Sequence, residues 1–259
     1  MPRTVLITGA SSGIGYELAL LFGADGFDCV LTARSADRLE ALAERLRRER
    51  QTRVTVIPAD LADPAGPDRI FTALQAAAIE IDVLVNNAGF PTYGHFAELD
   101  TRRQLDELQV NVVALTHLAR LFLPGMIARR DGRILNLAST AAFEPGPLMA
   151  VYYASKAYVL SFSQAIGNEL TGTGVSVTAL CPGITQTGFQ AAGAMEESRL
   201  VRGKMADAAS VALAGYRGVM SRKSVVIPGF ANRLVPLAVR LAPRSVVTRM
   251  VRRAQERAS

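Results

Sequence analysis

The chain has 259 residues, of which 49% are hydrophobic and 20% charged, and its formal net charge is +6. This length and apolar content suit a single large α/β domain and exclude a disordered, collagen-like or coiled-coil protein. The positive charge is concentrated near the end of the chain. Residues 208–259 carry ten basic side chains and one acid, a sum of +9, which leaves −3 for the first 207 residues. The excess charge is therefore a property of the tail.

Cysteine, histidine and hydropathy patterns indicate the cellular setting. Cys29 and Cys181 lie in apolar runs, as reduced buried thiols do, and His95 and His117 have no neighbouring cysteine, so we predict no metal site. The N-terminus lacks the basic and apolar regions of a secretory signal. The apolar stretch 110–127 comes nearest to a membrane span, but polar residues and a proline interrupt it. We predict a buried core helix there and a soluble, cytoplasmic protein.

Short β-branched runs alternate with longer helical patterns along the chain. Strands are predicted at residues 3–8, 28–33, 53–57, 83–86, 133–138, 175–181 and 224–227. Helices are predicted to begin near residues 13, 36, 67, 102, 151 and 206. This alternation predicts a single Rossmann-like, doubly wound parallel sheet of about seven strands, with helices on both faces. Ligands bind beyond the carboxyl ends of the strands in such sheets.

The end of the chain has a different pattern. Residues 230–259 are predicted to form a basic amphipathic helical extension, broken at Pro243, of a dinucleotide-binding catalytic domain spanning residues 1–229. A surface helix or a subunit contact is favoured over attachment to anionic lipid. Nucleic acid is not expected as a partner, because within the extension Phe230 is the one aromatic residue available to stack on bases.

A glycine-rich turn follows the first predicted strand. Residues 8–15 read Thr-Gly-Ala-Ser-Ser-Gly-Ile-Gly, immediately before an amphipathic helix. Glycines let a backbone bend sharply and approach a pyrophosphate, while the N–H groups at a helix start attract the anion. The turn alone is also compatible with a tight connection that binds nothing. The candidate phosphate-binding residues are Gly9, Ser11, Ser12, Gly13, Ile14 and Gly15.

The end of the second strand bears on the choice of cofactor. An NAD site expects an acid about 20 residues after the glycines to hold the ribose 2′-hydroxyl, whereas here Arg34 follows the strand. A guanidinium can pair with a 2′-phosphate, so NADP(H) is favoured over NAD(H); the alternative is a solvated arginine. Further candidate contacts to the adenine and the ribose follow the third and fourth strands: Asp60, Leu61, Asn87, Ala88 and Gly89.

Tyr152 and Lys156 are four residues apart on a predicted helix, so both side chains project from one face. An ammonium beside a phenol, whose ordinary pKa is about 10, favours the phenolate, and such a pair can act as a general acid or base. Ser139, 13 residues earlier, could hydrogen-bond a substrate carbonyl. Asn111 is a polar group in an apolar helix and needs a partner there. Each residue has a purely structural alternative, but their order along the chain favours a joint site.

Together these motifs resemble the short-chain dehydrogenase/reductase family, and the resemblance spans about residues 3–227. The residues that carry it are the glycine turn, Asn86-Asn87-Ala88-Gly89, Asn111, Ser139, Tyr152-x-x-x-Lys156 and Pro182-Gly183 with Thr187. The resemblance implies hydride transfer between a nicotinamide and a carbonyl or an alcohol, and a homodimer or homotetramer.

The resemblance also implies individual roles. Tyr152 would protonate the carbonyl oxygen, Ser139 would orient the carbonyl, and Asn111 would hold a water in a proton relay. Lys156 would lower the pKa of Tyr152 and hydrogen-bond the nicotinamide ribose. Tyr153 is three residues from Lys156 rather than four, so we assign the acid to Tyr152. The resemblance also makes Tyr152 and Lys156 cofactor contacts. The further cofactor contacts that it implies near the nicotinamide are Pro182, Gly183, Ile184 and Thr187.

Two features depart from the family pattern. Many of its reductases have a basic residue just before the second glycine where this chain has Ser12, so the prediction of NADP(H) depends on Arg34. Many members also end soon after the last strand, whereas 30 residues follow Gly229 here.

Apolar residues after the fourth, fifth and sixth strands predict a hydrophobic carbonyl or alcohol substrate. They are Tyr93, Phe143, Pro145, Leu148, Met149, Phe189 and Met195. Packing within a lid is the alternative role for these side chains. A dinucleotide-sensing or scaffold protein without turnover is the alternative function, although it would be expected to have degraded catalytic positions.

Overall fold

A computed structural model describes residues 2–50, 52–188, 198 and 205–256. Seven strands form one parallel sheet in the order β3-β2-β1-β4-β5-β6-β9, which confirms the predicted doubly wound fold. These strands are β1 Thr4–Thr8, β2 Asp28–Thr32, β3 Val54–Val56, β4 Val83–Asn86, β5 Gly132–Leu137, β6 Val175–Leu180 and β9 Val225–Val226. A separate two-stranded ladder pairs β7, Thr185–Gln186, with β8, Ala206–Asp207.

The helices are α1 Gly13–Ala24, α2 Ala36–Arg50, α3 Gly66–Ala76, α4 Thr101–Leu108, α5 Leu115–Ala128, α6 Ala150–Glu169, α7 Ala208–Met220, α8 Phe230–Leu241 and α9 Arg244–Gln255. Six helices begin within two residues of the predicted starts, and α5 begins at Leu115 inside the predicted core helix. A short 3₁₀ turn, Thr140–Phe143, follows β5.

Both faces of the sheet are covered, which explains why consecutive strand residues are apolar. In β1 the side chains of Val5 and Ile7 join the cluster under α1, α2 and α7, whereas Leu6 joins the cluster under α3 and α5. Both cysteines are buried free thiols, as predicted, and burial raises the pKa of each to about 12.

The predicted core helix is continuous from Thr101 to Ala128, because a π-helical segment, Gln109–Ala114, joins α4 to α5. This helix is the one in the described part of the chain that is long and apolar enough to cross a membrane by length and composition, and 44% of its most apolar window is buried. Leu118, Phe122 and Met126 pack against the sheet. The helix is therefore part of the domain core, as the sequence predicts.

The two helices of the C-terminal extension begin at Phe230 and Arg244, on either side of the break expected at Pro243. They differ in burial. Helix α8 has no buried residue, whereas α9 buries Val247, Val251 and Gln255. Val247 and Val251 pack in one cluster with Met149, Tyr152 and Tyr153 of the catalytic body. The extension therefore reaches the part of the molecule that carries the predicted catalytic tyrosine.

Candidate active site

The glycine turn adopts backbone conformations that suit glycine. Gly9 has φ +66° and Gly13 has φ +57°, both in the left-handed region. Gly15 has a different role, because a Cβ atom there would lie 2.4 Å from the Gly9 carbonyl oxygen. The absence of a side chain at Gly15 lets the start of α1 pack directly against the turn. Gly13 and Ile14, the first residues of α1, border the cavity described below.

The end of β4 is tied to this turn. The side-chain Nδ2 of Asn87 donates to the backbone carbonyl oxygens of Thr8, at 2.9 Å, and of Gly9, at 3.2 Å. The Thr8 hydroxyl oxygen accepts hydrogen bonds from the backbone N–H groups of Asn87 and Ala88, each at 2.9 Å. Asn87 therefore satisfies backbone groups at the strand ends, as predicted from the sequence.

A cavity of about 680 Å³ lies along the carboxyl ends of the strands. It is large enough for a sizeable organic ligand. Eighteen predicted site residues border it: Gly9, Ser11, Ser12, Gly13, Ile14, Arg34, Asp60, Leu61, Asn87, Ala88, Gly89, Ser139, Tyr152, Lys156, Pro182, Gly183, Ile184 and Thr187. Two predicted residues, Gly15 and Asn111, do not border it. In the described ranges no group of three His, Cys, Asp or Glu residues could hold a metal ion.

Tyr152, Ser139 and Lys156 come together at one end of this cavity. Ser139 follows β5 and borders the cavity with Tyr152, and its side chain acts on the phenol as a hydrogen-bonding group that lowers the pKa of Tyr152. The Lys156 ammonium donates to the Leu137 carbonyl oxygen at 2.7 Å and lies 5.7 Å from the centre of the Tyr152 ring. Tyr152 is 9% exposed and Lys156 3%. The arrangement can pass a proton from a shielded phenol to an atom beside it.

In this structure burial outweighs the lowering of the Tyr152 pKa that is expected from Lys156. Burial raises the pKa of the phenol well above its usual value, and the hydrogen bond from Ser139 offsets only part of that effect. Burial also lowers the pKa of Lys156 to about 8, while Glu107 acts in the opposite direction. Desolvation disfavours the charged form of each group, and the lysine is bonded to a backbone carbonyl rather than to the phenol.

Asn111 is fully buried in the π-helical segment. Its Oδ1 accepts from the backbone N–H of Phe90 at 3.1 Å, and its Nδ2 donates to the Phe90 carbonyl oxygen at 3.1 Å and to Ser155 Oγ at 3.2 Å. These bonds fix the loop after β4 against α6. Asn111 therefore positions the wall of the site, and the water relay implied by the family resemblance stays a prediction.

The C-terminal extension also contributes to the site. Gln255 of α9 is fully buried and borders the cavity, and its Nε2 donates to the Tyr153 hydroxyl oxygen at 2.7 Å. The backbone carbonyl oxygen of Gln255 accepts a hydrogen bond from the hydroxyl of Tyr93. The Tyr153 hydroxyl is thus engaged by the tail, whereas the Tyr152 phenol interacts with Ser139, and the assignment of the acid to Tyr152 stays a prediction.

Most of the predicted substrate-lining residues do not border the cavity. Met149 does. Tyr93 packs with the cluster under α9, Phe143 packs against a cluster that contains Val159, and Pro145 and Leu148 lie outside the cavity lining. Phe189 and Met195 lie outside the described residues. Tyr93, Phe143, Pro145 and Leu148 are half-buried and do not border this cavity, so a contact of these side chains with substrate stays a prediction.

Four polar or charged residues near the site, among others, were not predicted from the sequence. Arg38 borders the cavity with Arg34, and its position four residues later on a helix could have indicated this. Asn232 and Gln255 border it from α8 and α9. No sequence pattern marks them, since their position depends on how the extension packs.

The fourth missed residue, Glu107 of α4, is fully buried. Its Oε2 accepts from the Thr92 hydroxyl at 2.6 Å, while its Oε1 has no hydrogen-bond partner within the described ranges. Burial raises the pKa of Glu107 to about 7, and Thr92, Lys156 and Arg103 partly offset this effect. Glu107 is thus a buried carboxyl whose charge interacts with Lys156.

Comparison with known proteins identifies the class. The family model for short chain dehydrogenases matches residues 3–197. The ketoacyl reductase HetN of Nostoc sp. is 34% identical over 188 residues, which are 72% of this chain and 65% of that protein, just under two thirds of its length. The sulfoacetaldehyde reductase of Chromohalobacter salexigens is 38% identical over 220 residues, 84% of this chain and 82% of that protein.

Solved structures agree. A short-chain dehydrogenase from Sphingobium yanoikuyae in complex with NADPH has 35% identity, a TM-score of 0.83 and coverage of 91% of this chain and 92% of that one. The bulky-bulky ketone specific alcohol dehydrogenase from Comamonas testosteroni has 32% identity, a TM-score of 0.79 and coverage of 91% and 90%. A short chain dehydrogenase/reductase from Burkholderia phymatum in complex with NAD has 25% identity, a TM-score of 0.82 and coverage of 100% and 98%.

The fold and the comparisons define a dinucleotide-binding α/β oxidoreductase. The chain belongs to the short-chain dehydrogenase/reductase family.

The first prediction concerns Glu107. A carboxyl whose pKa is about 7 in the folded chain and 4.5 in the unfolded chain binds its proton more tightly when folded. The free energy of unfolding therefore falls as the pH rises through this interval. Glu107→Gln removes the effect, so between about pH 5 and about pH 8 the variant should gain roughly 2 kcal/mol relative to wild type. Urea unfolding of both proteins at the two pH values measures the difference.

Glu44→Gln provides the control, because this side chain is exposed on α2. The control should follow the pH dependence of the wild type. The same dependence in Glu107→Gln would show that the charge of Glu107 does not change over this range.

Proposed function

We propose that this chain is an NADP(H)-dependent oxidoreductase that interconverts a hydrophobic carbonyl compound and its alcohol, with Tyr152 as the general acid or base. The observation that carries the proposal is that Tyr152, Lys156 and Ser139 border the same cavity as the glycine turn. An acid and a second hydroxyl therefore lie beside the predicted dinucleotide site.

The bound dinucleotide supplies or accepts the hydride. Ser139 orients the carbonyl oxygen, and Tyr152 donates its proton to that oxygen during reduction. Because burial raises the pKa of Tyr152, the phenol holds its proton at neutral pH and is ready to donate it. In the alcohol-oxidising direction the same group must lose its proton first.

Lys156 and the residues behind it support this step. The hydrogen bond to the Leu137 carbonyl holds the lysine beside the tyrosine ring. With a pKa of about 8, the lysine is mostly protonated at neutral pH. We propose that it binds the nicotinamide ribose, while Asn111 keeps the Phe90 loop in place and takes part in the proton relay.

The residues at the other end of the cavity fit an NADP(H) molecule. Arg34 and Arg38 are exposed, border the cavity and make no ion pair with the described part of the chain. Strands β1 and β2 pair along their whole length, so Arg34, two residues after β2, lies near the glycine turn that follows β1. Two guanidinium groups can bind a 2′-phosphate. NAD(H) is the less favoured cofactor, because the acid that would hold its ribose is missing.

The substrate end of the cavity suits an apolar molecule. Met149 borders it, and burial raises the pKa of the bordering Glu144. Arg103 also borders the cavity and lies over the Phe90 ring, 4.8 Å from its centre. A cluster of cations for a phosphate or a dicarboxylate is absent from this end in the described residues.

The proposal includes a homodimer or homotetramer in the cytoplasm. Apolar side chains of the long helix and α6 are exposed, among them Leu105, Val113 and Tyr158. Tyr158 hydrogen-bonds Thr116 and stacks on Phe162, so it is held in place on this surface. Exposed apolar patches of this kind favour self-association. The buried free thiols fit a reducing compartment.

Tyr152→Phe tests the catalytic assignment. The variant should lose about 100-fold or more of kcat in NADPH oxidation, followed at the absorbance of the reduced nicotinamide, while it still binds NADPH. Tyr153→Phe is the matched control and should retain most of the activity, because its hydroxyl is bonded to Gln255. Wild-type protein that binds NADPH yet oxidises none of it with any carbonyl would instead support a nucleotide-sensing role.

Arg34→Ala and Arg38→Ala test the cofactor preference. Each should raise the KM for NADPH by roughly tenfold, because a hydrogen bond to a charged group contributes about 1.5–3 kcal/mol, and each should leave the KM for NADH nearly unchanged. Arg48→Ala is the control, because Arg48 is an exposed arginine of α2, the helix that carries Arg38. Equal effects on both cofactors would contradict a role in binding the 2′-phosphate.

A carbonyl panel tests the substrate class. In a series of aldehydes and ketones of increasing chain length, kcat/KM should rise by about fourfold for each buried methylene, which corresponds to about 0.8 kcal/mol. The panel should include small keto acids and a small sulfonated aldehyde. Reduction of these charged compounds alone would refute the hydrophobic substrate.

A further inference from the structure

Helix α8 has two different faces. Asn232, Val235 and Val239 are half-buried on its inner face, where Val239 packs with the cluster that contains Tyr152. The opposite face exposes four large apolar side chains: Phe230 is 80% exposed, Leu234 50%, Leu237 58% and Leu241 87%. Their spacing of four, three and four residues places them in one stripe along the helix. Packing within the chain therefore accounts for the inner face only.

The extension that carries this apolar stripe is rich in basic side chains. The described part of the extension, residues 230–256, has six arginines and one acid, Glu256. Arg252 pairs with that acid at 3.6 Å. Arg240, Arg244 and Arg253 make no ion pair with the described residues. The surface thus combines an exposed apolar stripe with uncompensated positive charge.

This combination identifies the class of partner. A second copy of the chain, related by a two-fold axis, would place the same patch on both sides and bring the arginines together. Like charges facing each other across an interface are unfavourable. An anionic bilayer satisfies both features, because its phosphates bind guanidinium groups while apolar side chains enter the boundary of the acyl region. We propose that α8 docks the protein on the surface of anionic lipid membranes.

The position of α8 relates this surface to the cavity. Asn232 borders the cavity and donates to the Pro228 carbonyl oxygen at 2.7 Å. It also lies against Gly183, where a Cβ atom would be 2.7 Å from Asn232 Nδ2. The inner face of α8 is therefore a wall of the cavity, and its outer face is about one helix diameter, roughly 10 Å, away.

Docking through α8 consequently brings the cavity close to the lipid. This part of the inference rests on the proposed function: a hydrophobic carbonyl compound dissolved in the bilayer would reach Tyr152 with little exposure to water. The substrate class is then a membrane-dissolved, long-chain ketone or aldehyde.

Vesicle flotation of the full-length protein tests the docking. Wild type should float with vesicles of equal parts phosphatidylcholine and phosphatidylglycerol, should not float with phosphatidylcholine alone, and should lose binding at high salt. The variant Leu234→Gln/Leu237→Gln/Leu241→Gln, called the apolar-stripe variant, should bind at least about tenfold more weakly. The variant Arg240→Gln/Arg244→Gln/Arg253→Gln should also bind at least about tenfold more weakly. Phe96→Gln is the control, because Phe96 is 66% exposed outside the extension.

Several results would overturn the docking proposal. The first is that the wild type does not float with the anionic vesicles. The second is that the apolar-stripe variant floats as well as the wild type. The third is that the wild type is a dimer, the variant is a monomer, and neither protein binds vesicles. The last outcome would assign the stripe to a second copy. Circular dichroism and thermal unfolding would show whether each variant is folded.

Activity is measured separately from binding. Flotation is done without cofactor or substrate, and Tyr152→Phe should float like wild type, so failure of the proposed function leaves the binding result intact. With a water-soluble carbonyl the tail variants should keep the wild-type rate, whereas with a long-chain carbonyl in anionic vesicles the apolar-stripe variant should lose about tenfold in rate. An equal rate with the vesicle substrate would refute delivery from the membrane without refuting docking.

Discussion

The parallel register of the sheet is the constraint on which the rest of the structure depends. Because β1, β2, β4, β5 and β6 all run in one direction, their carboxyl ends meet at one edge, where the backbone can no longer continue the ladder. Groups at these ends need other partners, and Asn87 supplies them by joining the end of β4 to the turn after β1. The same edge opens into the cavity. The hydrogen bonds that join the strand ends and the residues that border the cavity therefore lie along the same edge of the sheet.

Burial controls the electrostatics of this edge. Tyr152, Lys156 and Glu107 are all removed from water, and desolvation is the largest cause of each pKa shift. The tyrosine and the carboxyl are pushed toward their protonated forms, while the lysine is pushed toward its neutral form. Interactions between charges are strengthened in such a site, which makes Glu107 a long-range influence on Lys156 without a direct hydrogen bond. The site is thus poised to hold a proton on the phenol.

The C-terminal extension shows how similar sequence patterns acquire different roles. Helices α8 and α9 are both amphipathic and rich in arginine, yet α9 buries Val247 and Val251 against the catalytic tyrosines and α8 leaves its apolar stripe outside. Gln255 makes α9 part of the site through Tyr153, and Asn232 makes α8 a wall of the cavity. A tail that looks like an appendage in the sequence is therefore continuous with the catalytic body.

The sequence by itself determined the fold, the glycine turn and the pairing of Tyr152 with Lys156 on one helix face, because these depend on local periodicity and on fixed spacings. The positions of most helices and strands follow from the same local rules. Tertiary structure decided what depends on distant residues meeting. It placed Gly15 and Asn111 outside the cavity lining, packed Tyr93 and Phe143 half-buried against core clusters, brought Asn232 and Gln255 to the cavity, and buried Glu107 where its charge acts on Lys156. It also raised the pKa of Tyr152 where a neighbouring lysine alone would lower it, since the degree of burial is a property of the whole fold.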